Sequence, residues 1–476
     1  MGYEQVMSRR NEIMRSSVGI DFNSYRTGNL SFDYERMLED AGYTIEKIFE
    51  IQRQSAVGNT PLVELKNLTE LVRKISPAGK GARVFVKDEA ANPSGSFKDR
   101  RACLSVFEAA KRGYPGVTAA TSGNYGAAVA SQAARRGLNC IIVQEAFDSR
   151  GIAQPEILEK ARACEAYGAE VLRLSVGPEL FYVFLTILEE TGYFNASLYT
   201  PCAVIGIETL GFEIAEELKE REGKFPDMVV VTHAGGGNIT GTARGLDKAG
   251  AGQTLTVAAS VDLSGLHMAS DRDFNRKSFT TGHTGFGIPF ATWPDRADVP
   301  LNAARPLRYM DRYVTVTQGE VFYITQLLAE LEGMERGPAG NTSLAAGFAL
   351  ARGLDEDQIL VVQETEYTGA GKHPTAQLNL AGKMGIEIKR GNPEMNIPGK
   401  VIVIPEHPAQ IRVKEVALRK LRESYLNKAL SGLSPQQRPG EEEIAFLAED
   451  TGSDPAFVKE FIKNAGLAGQ SRGGSI

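Results

Sequence analysis

From residue 83 onward, short runs of β-branched and apolar residues alternate with segments of helical length, and no other feature limits the fold so tightly. RVFVKDE (83–89), GVTAA (116–120), LNCIIVQEA (138–146) and EVLRLSV (170–176) have the character of strands, as do DMVVVTHAGGG (227–237), TLTVAASVD (254–262) and QILVVQETE (358–366). DRRACLSVFEAAKRG, YGAAVASQAARRG, PEILEKARACEAYG and ELFYVFLTILEETG stand between or after the first of them and read as helices. Strands joined through helices run parallel, and parallel sheets are covered on both faces, so the fold class is α/β with doubly wound parallel sheets. The N-terminal stretch and the stretch holding IRVKEVALRKLRESYLNKAL break the alternation with polar helical text. The expected division is a helical arm (1–57), a smaller α/β domain (58–205), a larger one (206–405) and a C-terminal helical extension (406–476). The charged faces of the arm and extension suit solvated surface or a subunit contact.

Bulk properties narrow the function by exclusion. The 476 residues are 42% hydrophobic and 24% charged, which suffices for a large core, and the formal charge is −6. Neutralising phosphates along a nucleic acid requires a basic face that this balance does not supply, so nucleic acid is not an expected partner. No apolar run reaches the ~18 residues of a membrane span, and the first residues lack the continuous apolar core of a secretory signal. Cys103, Cys140, Cys164 and Cys202 lie too far apart for paired zinc spacings or a disulfide scaffold. The expectation is a cytoplasmic protein with reduced thiols, no membrane segment and no metal site.

Ligands of open parallel sheets collect where strands end and helices begin. TSGNYGAA (121–128) follows a strand, and its small residues let the amides of a helix N-terminus face a carboxylate or phosphate. HAGGGNITG (233–241) has three consecutive glycines whose amides can wrap a phosphate, although it is neither a P-loop nor a dinucleotide fingerprint. ETEYTGAGKHP (364–374) sets Thr368 at a strand end before Gly369. A cap or turn accounts for each of these alone. NPSGSFKDR (92–100) adds one lysine, Lys98, just after a Pro-Ser-Gly turn.

Together with GNTPL (58–62), these segments stand in the order of the fold type II pyridoxal phosphate enzymes, the group of tryptophan synthase beta, cysteine synthase and threonine synthase, and the chain resembles that family over roughly residues 55 to 405. The resemblance implies pyridoxal 5'-phosphate as cofactor. It makes Lys98 the amine that holds the aldehyde and later moves the substrate's α-proton. It assigns Asn124 to the phenolic oxygen of the ring, Gly235, Gly236, Gly237 and Asn238 to the phosphate, and Thr121, Ser122 and Gly123, with Asn124, to the substrate carboxylate. The same resemblance implies that Thr368 faces the pyridine nitrogen, where a neutral hydroxyl favours chemistry at the β and γ carbons over transamination. Asp99 is expected to cap the following helix, and Arg100 to be structural.

SFKDR and TGAGKHP look closest to the threonine synthase branch, but Ala370 replaces that branch's histidine and His373 precedes the proline. The arm, QETEYTGAGKHP and the insertion SFTTGHTGFGIPFATWPDRADVP look more like a thiolase branch from ornithine breakdown. That branch uses coenzyme A to cleave a 2-amino-4-keto acid to acetyl-coenzyme A and alanine, and it implies a small alpha subunit in addition to a homodimeric or hetero-oligomeric assembly. Thiolysis leaves negative charge on the β carbon, as phosphate expulsion by threonine synthase requires, so one scaffold suits both reactions. Threonine synthase or a related β/γ-lyase or replacement enzyme on an O-substituted amino acid stands as the alternative, and a non-catalytic binding protein as a third reading. His267, His283, His373 and His407 are candidate acids, with His283 singled out for its glycine-rich surroundings, although lone histidines are more often satisfied or exposed. His233 abuts the glycine loop and suits a shaping role.

Overall fold

The computed structural model describes residues 2–471 except Ser122, Gln154, Pro178, 265–277, 281–293, 368–373 and 435–436. In chain order the strands are β1 (Leu62–Glu64), β2 (Arg83–Asp88), β3 (Gly116–Thr121), β4 (Asn139–Phe147), β5 (Glu170–Ser175), β6 (Phe194–Asn195), β7 (Met228–Thr232), β8 (Leu255–Val261), β9 (Arg312–Val316), β10 (Ile359–Glu364), β11 (Glu387–Arg390), β12 (Val401–Ile404) and β13 (Lys414–Glu415). One sheet has the order β1-β2-β10-β7-β8-β9-β13, parallel inside and antiparallel at both edge strands. A second, β5-β4-β3-β6, is parallel throughout. β11 and β12 form a separate parallel pair.

The apolar text of the inner strands follows from burial on both faces. Every residue of β10 is buried, and successive side chains enter different cores. Phe85, Val229, Val231 and Val361 join Leu210, Ile214 and Leu218 of the helix Glu208–Glu222. Val84, Val86, Val230, Leu360 and Val362 join Leu344, Ala345 and Phe348 of the helix Asn341–Ala351.

β1 and β2, expected in the smaller domain, belong to the seven-stranded sheet, where Arg83–Asp88 pair in register with Ile359–Glu364. The helix Lys98–Lys111 that follows instead places Ala102, Val106 and Ala109 in the core of the four-stranded sheet with Val117, Ala119 and Ala128. Residues 89–97 therefore cross from one sheet to the other, and Lys98 stands where the crossing ends.

Both helical ends commit their apolar faces inside the chain. Val6, Ile13, Met14 and Val18 pack with Phe184, Leu185 and Leu188, while Leu421, Tyr425, Leu426 and Leu447 join the core beneath Glu208–Glu222. The ends also touch each other: Tyr34 stacks on Phe446 with ring centres 6.4 Å apart, and Glu443 accepts from the Asn29 amide at 2.9 Å. Among the described residues no helix is long and apolar enough to cross a membrane, and no group of His, Cys, Asp and Glu gathers as a metal site. The four cysteines are buried and free.

Candidate active site

Lys98 owes its position to a loop sewn onto the end of β10. Gly95, at φ +80°, turns the chain, and a Cβ there would lie 3.0 Å from the Tyr367 carbonyl oxygen. The Tyr367 amide donates to the Gly95 carbonyl at 2.8 Å, and the Phe97 amide to the Thr365 carbonyl at 3.1 Å. Asp99 does not cap the helix, which corrects the sequence expectation. It lies inside the first turn and accepts from the Ser94 amide at 2.6 Å, tying back the loop that precedes Lys98. Burial pushes its carboxyl up to about 6.

Arg100 confirms a structural role with more content than its sequence suggested. Fully buried, it donates to Glu89 at 2.7 and 2.8 Å and to Glu213 at 2.7 and 2.9 Å. Thr60 donates to Glu89 at 2.6 Å and the Asn59 amide to Glu213 at 2.9 Å, so GNTPL is seated on this ion cluster. Burial opposes the charge of Glu213, yet Arg100 and Lys87 hold its carboxyl down at about 2.

Lys98 keeps some exposure along its side chain, but its amine is deeply surrounded, with Nζ 4.4 Å from the centre of the Phe97 ring. Burial, aided by the Arg101 guanidinium, holds the amine well below the ordinary lysine value, and the Glu366 carboxylate opposes them. Such a lysine is more often neutral, the form that attacks an aldehyde. Glu366, itself buried, also accepts a hydrogen bond from the Asn124 side-chain amide across the cleft. Lys98, Asn124 and Glu366 are thus brought together from three separate strand-to-helix junctions.

The other expected site residues fall in part within the described structure. Gly123 precedes the helix Asn124–Arg136, its amide donates to the Thr121 hydroxyl at 3.2 Å, and the space beyond its Cα is open. Ser122 lies outside the described residues, as do Thr368, His267, His283 and His373. On the far side, β7 runs into Gly235 and Gly236, and Gly236, at φ +84°, begins the helix Gly237–Lys248. A Cβ on Gly236 would meet the Pro306 ring at 2.5 Å, so only glycine fits. The first amides of that helix have no intrahelical acceptor and suit an anion, and the Asn238 side-chain nitrogen is buried without a partner. His233 is buried against the Tyr313 ring at 5.1 Å, and burial pushes it down to about 4, which leaves it neutral. His407 instead caps a short turn by accepting from the Ala409 amide at 3.1 Å.

Sequence reasoning passed over Glu364, Glu366 and Arg101. The first two were legible as acids ending an otherwise apolar strand. Burial, with Glu366 and Asp88 nearby, holds Glu364 well above the usual carboxylate range. Arg101 stands three residues after Lys98, at the spacing that puts both on one helix face.

A depressed amine, a turn at Gly123 with open space beside it and a glycine-lined helix start with unspent donors fit an aldehyde that carries a phosphate. Residues 53–364 match the family described as pyridoxal-phosphate dependent enzyme. The chain belongs to that family. Its cofactor is pyridoxal phosphate, and the fold is that of the fold type II enzymes. This pyridoxal-phosphate enzyme is 64% identical, over 98% of both chains, to a 2-amino-4-ketopentanoate thiolase beta subunit from an unknown prokaryotic organism. It is 63% identical, over 97% of this chain and 98% of the other, to the protein of that name from Acetoanaerobium sticklandii. A threonine synthase from Halalkalibacterium halodurans is 30% identical over 60% of this chain and 75% of its own. A solved threonine deaminase, from the organism abbreviated T.th., superposes with a TM-score of 0.51 at 25% identity, covering 69% of this chain and 99% of that one. The Entamoeba histolytica cysteine synthase shares the fold at a TM-score of 0.51 and 19% identity, over 71% and 96%.

Proposed function

We propose that this chain is the catalytic beta subunit that cleaves 2-amino-4-ketopentanoate with coenzyme A, giving acetyl-coenzyme A and alanine in ornithine breakdown. The observation that carries the reading is end-to-end likeness, at 63–64% identity, to two 2-amino-4-ketopentanoate thiolase beta subunits. In the reaction the C3–C4 bond breaks, sulfur bonds to the acetyl carbon, and the thiol proton ends on C3, which becomes the methyl of alanine. Bound pyridoxal phosphate supplies the electron sink for charge at the α carbon.

The chain's own residues have definable parts in this. Lys98, the neutral amine of the cleft, holds the aldehyde and later carries the proton at the α carbon. Asn124 serves the phenolic oxygen, and Glu366 orients its amide while biasing the Lys98 amine towards its charged form. The amides of Gly235, Gly236, Gly237 and Asn238 serve the phosphate. The turn at Thr121, Ser122 and Gly123, with Asn124, serves the substrate carboxylate, and Thr368 the pyridine nitrogen. The beta-subunit names of these relatives support a small alpha partner in a homodimeric or hetero-oligomeric assembly, and reduced, buried thiols suit the cytoplasm.

The threonine synthase likeness favours a second reading, that of a threonine synthase or related β/γ-lyase or replacement enzyme, in which phosphate leaves the γ carbon of a phosphorylated amino acid and water adds at the β carbon. An assay of the chain, alone and with its alpha partner, separates the two. Acetyl-coenzyme A formed from 2-amino-4-ketopentanoate and coenzyme A supports the thiolase reading. Phosphate released from phosphohomoserine, without thiolysis, supports the other and overturns the first.

A further inference from the structure

Arg100 and Arg101 are neighbours on one helix and equally buried, yet their surroundings differ completely. Arg100 is neutralised by two glutamates. Arg101, 2% exposed, has no ion pair among the described residues. It donates to the Leu198 carbonyl, lies 5.9 and 5.8 Å from the ring centres of Tyr125 and Tyr199, and keeps a buried Nε without any partner. A guanidinium taken out of water without a counter-anion is costly, and no described side chain supplies one, so the site calls for an anion.

The place where that anion binds is also marked. The guanidinium lies against Gly237, where a Cβ would come within 2.9 Å of its Cζ. Gly237 is the first residue of the helix Gly237–Lys248, whose leading amides are free and whose dipole favours negative charge. Two independent positive features therefore converge on one point. A planar guanidinium beside free amides matches phosphate oxygens, which can accept from both.

We infer that Arg101 anchors the phosphate of the pyridoxal phosphate whose aldehyde Lys98 holds. The inference rests on that role of Lys98. Lys98 and Arg101 are separated by three residues, about 4.5 Å of helix rise, on one face. In pyridoxal phosphate the aldehyde and the phosphate-bearing arm sit on neighbouring ring carbons, so one helix turn can engage both ends of one molecule.

The test compares the apoprotein and its Arg101→Met and Arg101→Lys variants for binding of pyridoxal phosphate and of pyridoxal, which lacks the phosphate. Arg101→Met weakens pyridoxal phosphate by about 10- to 100-fold, the usual effect of losing a charge-assisted bond, and leaves pyridoxal within about twofold. Arg101→Lys falls between, and the 31P resonance of its bound cofactor shifts from that of the wild type. Unchanged pyridoxal phosphate affinity, or equal loss of both aldehydes, overturns the assignment, and either result is also readable in Arg101→Lys if the methionine variant does not fold. A change confined to the KM for coenzyme A would give the guanidinium to a substrate phosphate and overturn it too. A wild-type protein that binds neither aldehyde sinks the role of Lys98 first and this inference with it.

Discussion

Asn124 donates its side-chain amide to the Glu366 carboxylate across the cleft, joining the junction after β3 in the four-stranded sheet to the junction after β10 in the seven-stranded one. Lys98 lies beside that bond, at the end of a loop itself tied to residues 365–367. The two sheets and the amine are thus held in one arrangement.

Glu366 raises the affinity of the Lys98 amine for a proton, opposing burial and Arg101. Removing its charge leaves more neutral amine at a given acidic pH. In Glu366→Gln the acid limb of pyridoxal phosphate capture by the apoprotein therefore moves to lower pH, as read from the absorbance of the trapped cofactor. A limb that moves upward or stays fixed contradicts the placement of Glu366 beside the amine.

The Arg100 cluster predicts acid sensitivity. Glu213 takes up a proton near 4.5 when unfolded but only at about 2 when folded. Its contribution to stability is therefore complete above 4.5 and is lost as pH falls from there to about 2. Glu213→Gln, which leaves Arg100 half-paired, costs about 3–5 kcal/mol by denaturant titration at neutral pH. The same substitution flattens the acid dependence over that window.

Gly236→Ala tests the phosphate loop. A left-handed residue with a Cβ costs about 1–2 kcal/mol, and the Pro306 ring 2.5 Å away forces the loop aside. Affinity for pyridoxal phosphate falls by more than about tenfold, while denaturant stability falls only by that backbone cost. Gly123→Ala, facing open space, leaves cofactor affinity unchanged and raises the substrate KM instead.

Local patterning carried much of this structure. The runs that became β2, β3, β4, β7, β8 and β10 are apolar because helices cover both faces of their sheets, whereas β5, at a sheet edge, is mostly exposed. β11, EIKR, is exposed along its whole length, and β13 is two charged residues at an edge, so neither leaves an apolar signal. The partner of β2 was also hidden: Arg83–Asp88 pair with residues about 276 positions later, and no local pattern specifies so distant a register. At the site, Lys98 and the glycine loop were readable because their chemistry or backbone needs are unusual. Arg101 and Glu366 have ordinary residue types, and their roles arise only from what the fold sets around them, a helix start in one case and an amine in the other.

The most direct test of the account is borohydride reduction of the protein loaded with pyridoxal phosphate, followed by peptide mass mapping. The account predicts one pyridoxyl adduct, on the peptide that holds Lys98, and its absence together with lost activity in Lys98→Ala. An adduct on another lysine, or full activity in Lys98→Ala, would contradict it.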